Sequence, residues 1–217
     1  MTHDIMNGFS FVADPDPKLC DDMIFKHHYS HRPSRVVVYR AGLNNAVGDL
    51  VATVSFTASS TRWSQPVREL SRLVRLPDTR PPLTMLISKA CSELRKRGLA
   101  DLVVSFADST RGHHGGVYQA ASWNYHETRK PQNDGFIING VFTPRRSCFG
   151  RYGTSSRSNL LTFCRFMGMT CEEHWDKGKH LYWRALTPKG QGQAMSLGLK
   201  STHYVKNNID HVPEWLK

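Results

Sequence analysis

Three short segments of the chain carry side chains able to do chemistry, and the first is His27–Arg32. It reads HHYSHR and therefore places three imidazoles, a phenol and a guanidinium within six residues. Such a set suits proton transfer or metal binding. The alternative is a solvated helix end, because imidazoles near a helix C-terminus complement the helix dipole. The residues of this segment alone leave both interpretations open.

The second segment joins the apolar run Leu102–Ala107 to a loop rich in glycine and histidine. Asp108 closes that run, and in open α/β sheets ligands bind beyond the carboxyl ends of the strands. Its carboxylate is a candidate general base, metal ligand or orienting group, or else a cap of the following turn. The three glycines of the loop favour a functional role, because glycine lets the backbone approach a ligand closely. The candidate substrate contacts here are Ser105, His113 and His114.

The third segment is Glu69–Arg72, in a run that alternates apolar and polar residues. If this run is a strand, Ser71 and Arg72 lie on opposite faces of it. One of the two then points towards the cleft near Asp108. An arginine there can hold a phosphate or carboxylate through two hydrogen bonds. The alternative is an arginine in solvent on an edge strand.

Positively charged residues surround aromatic ones in the second half of the chain. Thr143–Arg146 contains two arginines, and Arg151 precedes Tyr152. Lys177–Trp183 joins two lysines and a histidine to two aromatic residues. Arginine beside aromatic rings suits phosphate contact together with base stacking. The candidate nucleic-acid contacts are Arg145, Arg146, Arg151 and Lys179.

The sequence contains none of the usual metal or nucleotide motifs. It has no HExxH, no HxE followed by PCxxC, no GxGxxG of dinucleotide type and no P-loop. A DPPY-like motif of ordinary adenine methyltransferases is also absent from the sequence. We therefore expect no required metal, although iron is conceivable at a site built from His28, His113, His114 and Asp108.

The balance of charge indicates a polyanionic partner. Lys and Arg total 29 against 18 Asp and Glu, which gives a formal net charge of +11 and, with it, a sequence pI near 9.7. Lysine and arginine that contact phosphates release condensed counterions, so an excess of them favours nucleic-acid binding. The alternative is a basic surface that serves solubility alone.

Length and cysteine content predict one domain in a reducing compartment. A chain of 217 residues fits a single domain, here residues 1–217 with a basic C-terminal part. Five cysteines form no CxxC pair, and the N-terminus lacks a signal-peptide pattern. We therefore expect reduced thiols and a cytoplasmic location. No apolar run approaches the roughly 20 residues of a membrane helix.

The pattern of apolar residues predicts elements that place these segments around a mixed sheet with helices on both faces. The order of the strands is antiparallel first and parallel later, which suits the sheet of GNAT-type acyltransferases. The fold class is therefore α/β, as a single GNAT-like domain. The predicted strands are 35–40, 50–56, 68–76, 102–107, 136–142 and 181–185. The predicted helices are 18–28, 83–97, 117–123 and 160–167.

An ordered series of motifs resembles the bacteriophage Mom family of DNA-modification proteins. The series is HYS, ELSRL, SFAD, GGVYQAASW, DGFIINGVFTPRRS and KGKHLYW, and it extends from about His27 to Trp183. The resemblance implies a GNAT-like fold, duplex DNA as substrate and conversion of adenine to N6-(carbamoylmethyl)adenine, which protects phage DNA from host restriction. The catalytic residues that it implies are His28, Tyr29, Arg72, Asp108 and Tyr118.

One stretch departs from the GNAT pattern. The segment before the second long helix, Leu76–Leu83, has no glycine and contains prolines, which lack the N–H groups that would bind a pyrophosphate. We therefore expect an activated glycyl donor, glycyl-tRNA, in preference to acetyl-CoA, with tRNA as a second partner. A paired adenine must also leave the base stack, and the aromatic residues expected to receive it are Tyr29, Tyr118 and Trp123.

The leading hypothesis is an enzyme that transfers an acyl group, a glycyl group, to adenine N6, followed by rearrangement to the carbamoylmethyl form. One alternative is a GNAT-type acyltransferase that acts on a small amine or a protein. Another is a DNA-binding protein without catalytic activity. Modified nucleosides in DNA separate the first hypothesis from both alternatives.

Overall fold

The computed structural model describes residues 5–6, 8–34, 36–59 and 63–205. Its backbone divides into two units that alternate along the chain. The first unit contains the chain as far as Ala107, then His114–Glu127, then the chain from Leu181 onwards. The second unit contains Asp108–His113 and Thr128–His180. This division does not decide whether residues 1–217 form one domain, which stays a prediction.

Eleven strands and six helices are present in the described residues. The strands are β1 Ile5–Met6, β2 Phe9–Ala13, β3 Val37–Asn44, β4 Leu50–Ala58, β5 Arg68–Arg75, β6 Leu102–Asp108, β7 Asn124–Thr128, β8 Asn133–Ile138, β9 Val141–Pro144, β10 Cys171–Trp175 and β11 Lys179–Ala185. The helices are α1 Pro17–His27, α2 Leu83–Lys96, α3 Gly116–Ala120, α4 Arg145–Tyr152, α5 Arg157–Phe166 and α6 Pro188–Ser196. A short 3₁₀ turn covers Ser109–Arg111.

The larger sheet has the strand order β1-β2-β3-β4-β5-β6-β11-β7. Neighbouring strands are antiparallel from β1 to β5, whereas β5 and β6 are parallel. Parallel neighbours need a crossover connection, and α2 lies in the connection from β5 to β6. The predicted α/β class and the predicted change from antiparallel to parallel pairing are confirmed.

Helix α2 forms where the sequence predicts it, because its apolar residues recur on one side. Leu86, Ile87, Ala90 and Leu94 are all fully buried, and their spacing of three or four residues puts them on one helical face. Helix α1 begins after Asp16, whose carboxylate accepts a hydrogen bond from the backbone N–H of Lys18 at 2.7 Å.

Apolar residues on the two faces of β6 belong to two different core clusters. Val103 and Ala107 pack in the cluster that contains α2 and Tyr118. Leu102 and Val104 pack in the cluster that contains Ala194 of α6. Because side chains alternate along a strand, these two clusters lie on opposite faces. Helices therefore cover both faces of the sheet, as predicted.

The second unit has its own small sheet, β10-β8-β9, and its own core. That core joins β8 to α4 and α5 through Phe136, Ile138, Cys148, Leu160 and Cys164. The single strand predicted over residues 136–142 is wrong. Asn139 and Gly140 have φ angles of 46° and 77°, and this left-handed pair turns the chain into a hairpin.

Two further predictions from the sequence concern the state of the cysteines and the presence of a membrane-spanning helix. All five cysteines are free thiols, and four of them are buried. Among the described residues, no helix has the length and apolar character needed to cross a membrane.

Candidate active site

A gap in the larger sheet opens where β5 and β6 part. The two strands pair in parallel only from Arg68 with Val103 to Leu70 with Ser105. Beyond that point β5 continues to Arg75 and β6 to Asp108. A bulge adds to the divergence, because Ser55 and Phe56 of β4 pair with Arg72 and Leu70 and leave Ser71 as the extra residue.

A chain of buried hydroxyl groups lies at this gap. Ser105 donates its hydroxyl hydrogen to the carbonyl oxygen of Leu70 at 2.9 Å. The phenol of Tyr118 lies 2.8 Å from the Ser105 oxygen. Because the serine hydroxyl has one hydrogen, Tyr118 donates to Ser105. Both side chains are buried. The protonated phenol of Tyr118, on α3, therefore lies beside Ser105 of β6 at the point where β5 and β6 diverge.

Burial raises the pKa of Tyr118 to about 12. The hydrogen bond with Ser105 lowers this pKa, while the negative charges that Tyr29 and Glu69 carry when ionised raise it. Tyr118 therefore keeps its proton at neutral pH and is suited to donate it.

Glu69 is a functional candidate that the sequence did not single out. Its carboxylate accepts a hydrogen bond from the Ser59 hydroxyl at 3.2 Å, and that hydroxyl oxygen accepts one from the indole of Trp63 at 3.0 Å. The available signal was weak, because Glu69 is one of several polar residues that alternate with apolar ones in this strand, although it is the only acidic one. An ionised Glu69 is also among the lesser causes that raise the pKa of Tyr118.

The segment after α1 places an exposed aromatic ring near these groups. His28 is buried, and its Nδ1 accepts the backbone N–H of Ser30 at 3.1 Å. A neutral His28 ring therefore carries its proton on Nε2. The ring packs against Tyr29 with centroids 4.3 Å apart. Tyr29 is 42% exposed.

Ser71 and Arg72 both fasten this segment to β5. The Ser71 hydroxyl lies 2.9 Å from that of Ser34. Arg72 donates from Nε to the carbonyl of Arg32 at 2.8 Å and from Nη1 to its neighbouring carbonyl at 2.6 Å. The sequence predicted opposite faces for the two side chains, but the bulge at Ser71 interrupts the alternation. Arg72 binds backbone carbonyls here, a geometry that suits positioning.

Asp108 lies in the second unit, where it caps a turn. Its carboxylate accepts the backbone N–H of Thr110 at 3.0 Å, and its carbonyl accepts that of His113 at 3.1 Å. His113 is exposed. The alternative of a turn cap is therefore realised, and a catalytic role for Asp108 stays a prediction.

One glycine of the following loop, Gly115, makes room for Tyr182. Gly115 has a φ of 82°, and a Cβ there would collide with the Tyr182 ring. The Tyr182 phenol donates to the carbonyl of His114 at 2.6 Å. The close approach that we attributed to a ligand is therefore an approach to an aromatic side chain.

Trp123 and Lys179, two of the predicted ligand contacts, both contact other residues of this chain. Trp123 is fully buried in the core, 5.4 Å from the Tyr118 ring, so in this structure it is not accessible to an extruded base. Lys179 pairs with the buried carboxylate of Asp176 at 3.7 Å, because a buried charge needs a partner. Of the three aromatics expected to receive a base, Tyr29 alone is exposed.

The arginines predicted to contact phosphate are exposed on α4 in the second unit. Arg145, Arg146 and Arg151 have no carboxylate within ion-pair distance among the described residues. In the same residues, no three His, Cys, Asp or Glu side chains are grouped to hold a metal ion.

A shallow groove lies beside the start of α2. Its volume is about 490 Å³, and it is lined by Thr84, Met85, Ser88, Lys89, Ala120, Ala121, Ser122 and Arg184. No side chain caps the first turn of α2. The prolines before α2 remove their own N–H groups, but the N–H groups of Leu83, Thr84 and Met85 remain. This groove can therefore hold an anion, with two cationic side chains in its wall.

Comparison with known proteins identifies both family and fold. The sequence matches the Mom protein family over residues 11–204, and it matches no curated protein. The structure of yncA from Salmonella typhimurium with its cofactor acetyl-CoA superposes with a TM-score of 0.50, at 9% identity over 84% of this chain and 96% of that one. Spermidine N-acetyltransferase from Vibrio cholerae gives a TM-score of 0.48 at 10% identity, over 88% and 98%. The predicted GNAT-like fold is confirmed.

Proposed function

The chain belongs to the Mom protein family, and on that premise we propose that it is an enzyme that transfers an acyl group to N6 of adenine in duplex DNA. The observation that carries this proposal is the buried hydroxyl chain from Tyr118 through Ser105 to Leu70, at the parting of β5 and β6. The net charge of +11 supports DNA as the partner.

Tyr118 is the acid of the proposed reaction. A tyrosine with a pKa of about 12 is fully protonated at neutral pH. When the acyl carbon leaves its donor, the departing group takes the Tyr118 proton. The Ser105 hydroxyl then donates its hydrogen to the Tyr118 phenolate, and this hydrogen bond stabilises the buried negative charge.

Glu69 is the base. Adenine N6 attacks the carbonyl carbon of the donor, the bond from that carbon to the leaving group breaks, and N6 gives up one proton. We assign this proton to the Glu69 carboxylate, because Glu69 directly precedes Leu70, whose carbonyl ends the hydroxyl chain in the same unit. The products are an N6-acyl adenine and the protonated leaving group, and transfer of the proton from Glu69 to the Tyr118 phenolate through solvent restores both side chains.

A glycyl group explains how acyl transfer leads to a carbamoylmethyl product. Transfer of glycine gives N6–CO–CH₂–NH₂, whose free amine attacks purine C6 through a five-membered ring. The bond from C6 to the original N6 breaks, and that nitrogen leaves as the amide. The base then carries NH–CH₂–CO–NH₂, an isomer of the first product. The step is intramolecular and gains from that proximity.

The target amino group is inside a paired stack, so the adenine must turn out of the duplex. Tyr29 is the aromatic residue that we assign to the extruded base, because its ring alone among the three candidates is exposed. Arg72 and Ser71 position it by fastening the following segment to β5.

The donor is an activated acyl compound with phosphate groups, which we place at the groove beside α2. Leu83, Thr84 and Met85 would offer backbone N–H groups there, with Lys89 and Arg184 close by. The acetyl-CoA in the yncA structure makes an acyl-CoA one candidate. Glycyl-tRNA is the other; the carbamoylmethyl product requires a glycyl group from either carrier, and the prolines before α2 together with the net charge of +11 are our reasons for preferring tRNA.

The purified protein tests these assignments with a duplex oligonucleotide and either glycyl-tRNA or glycyl-CoA. Nucleoside analysis of the digested duplex shows which donor yields a modified adenosine. With nitrogen-15 glycine, the rearrangement predicts label on the nitrogen bonded to C6 and the original N6 in the carboxamide. Label retained in the carboxamide overturns the rearrangement.

A matched pair of variants tests the base. Glu69→Gln removes the carboxylate at nearly constant shape and should abolish modification while DNA binding remains. Glu173→Gln changes an acidic residue of the second unit and should leave modification intact. Equal activity of Glu69→Gln and the unaltered protein refutes the assignment.

We further propose that the modification protects DNA from restriction endonucleases.

A further inference from the structure

Helix α4 presents an aromatic ring framed by arginines on its exposed side. Phe149 is 67% exposed. It follows Arg145 by four residues and Arg146 by three, so the three side chains share one helical face. Gly150 completes this face, and nothing lies within 4 Å of the position a Cβ would take there. We call Arg145, Arg146, Phe149 and Gly150 the α4 face.

The opposite side of α4 is firmly held. Cys148 is fully buried in the core of the second unit, and its thiol lies 3.5 Å from the carbonyl of Pro144. Gly153, with a φ of 72°, ends the helix. Since the helix is fixed from within, the exposed position of Phe149 is a property of the fold.

The charge around this ring is positive and uncompensated. The second unit contains ten Lys and Arg against five Asp and Glu. Glu173, an acid of the same unit, pairs with Arg157. In the described part of the chain no carboxylate pairs with the arginines of the α4 face. A partner for this face must therefore be anionic and must also cover an apolar ring.

We propose that the α4 face binds duplex DNA, with Phe149 as a wedge against the bases and the two arginines on phosphates. This inference rests on the proposed function and names the surface by which the substrate is held. Proteins that bend DNA insert apolar side chains, phenylalanine among them, between base steps. Stacking needs only a π-face, so the contact works with any sequence. An acidic peptide would satisfy the arginines but could stack on Phe149 only through an aromatic side chain at the right position, whereas every nucleotide carries both a phosphate and a base.

A binding experiment with matched phenylalanine variants tests the wedge. The protein, Phe149→Ala and Phe166→Ala are titrated into a fluorescent duplex at several salt concentrations. Phe166 is the control, because it is an 86% exposed phenylalanine of α5 in the same unit. Loss of one stacking contact predicts a Kd roughly tenfold weaker for Phe149→Ala. The salt dependence of Kd should not change in Phe149→Ala, since the phenyl ring carries no charge. The Kd of Phe166→Ala should lie within about twofold of that of the unaltered protein.

The outcomes separate this inference from the function on which it rests. If the unaltered protein binds duplex and Phe149→Ala binds equally well, the wedge is wrong and the proposed function stands. If the unaltered protein does not bind duplex, both fail. Phe149→Trp keeps an aromatic ring and should retain tight binding, which distinguishes stacking from mere folding. Polyglutamate offers carboxylates but no bases. If polyglutamate displaces the labelled duplex as effectively as unlabelled duplex does at equal anionic charge, the contact between Phe149 and the bases is wrong.

Discussion

Replacement of Tyr118 by phenylalanine removes one oxygen and should separate catalysis from stability. The ring stays in the core against Trp123. Ser105 still donates to the Leu70 carbonyl, so the substitution leaves no buried donor unsatisfied. One net hydrogen bond is lost, which costs about 1 kcal/mol of unfolding free energy. For a protein of this size that lowers Tm by roughly 2–4 °C.

The expected effect on activity is far larger. A positioned general acid contributes roughly a hundredfold to ten-thousandfold in rate. Tyr118→Phe should therefore lower the rate of adenine modification at least about a hundredfold, with unchanged affinity for duplex. The rate is measured by digesting timed samples of substrate DNA and quantifying the modified nucleoside.

Tyr39→Phe is the matched control. Tyr39 is buried in the same core cluster, and its hydroxyl has no hydrogen-bond partner among the described residues. Its removal should leave stability unchanged or raise it slightly, and activity should be unaffected. Full activity in Tyr118→Phe, or an equal loss in Tyr39→Phe, would refute the role of the hydroxyl chain.

Three further predictions follow from single contacts. Because the pKa of Tyr118 is raised to about 12 from about 10 in the unfolded chain, its contribution to stability is complete below pH 10. It should be lost as pH rises towards 12, and Tyr118→Phe should flatten that fall in melts. Arg145→Ala with Arg146→Ala should weaken DNA binding for all sequences and reduce the salt slope by roughly 1–2; an unchanged slope places the phosphates elsewhere. Gly135→Ala would drive a Cβ into a backbone oxygen and an aromatic ring of β9 and should lower the free energy of unfolding by about 1–3 kcal/mol. Gly150→Ala places its Cβ in open space and should raise the free energy of unfolding. Equal effects of the two variants in chemical denaturation would contradict this.

Strong local patterns made part of the fold predictable. Helix α2 has regular apolar spacing and lies within a residue of its predicted bounds. Helix α4 was missed, because RRSCFGRY has no apolar stripe and is anchored mainly by Cys148. Strand β10 was missed for a similar reason: CEEHW is largely polar, and its place is set by backbone pairing with β8.

The site was predictable in its residue types but not in its contacts. Ser105 and Tyr118 were both singled out, yet their hydrogen bond spans 13 positions and depends on how α3 packs on β6. Glu69 was passed over, since nothing local shows which strand residues face a gap. Trp123 was assigned to the substrate, although an aromatic residue after a helix is as well suited to a core.

Acyl transfer to adenine in DNA is tested by the nucleosides of DNA from cells that express the protein. Our account predicts an adenosine species heavier by one glycyl unit, C2H3NO, in cells with the unaltered protein. It predicts that this species is nearly absent with Tyr118→Phe and present with Tyr39→Phe. Unmodified adenosine in DNA from cells that contain soluble, folded protein, together with an acylated protein or small amine, would contradict the account.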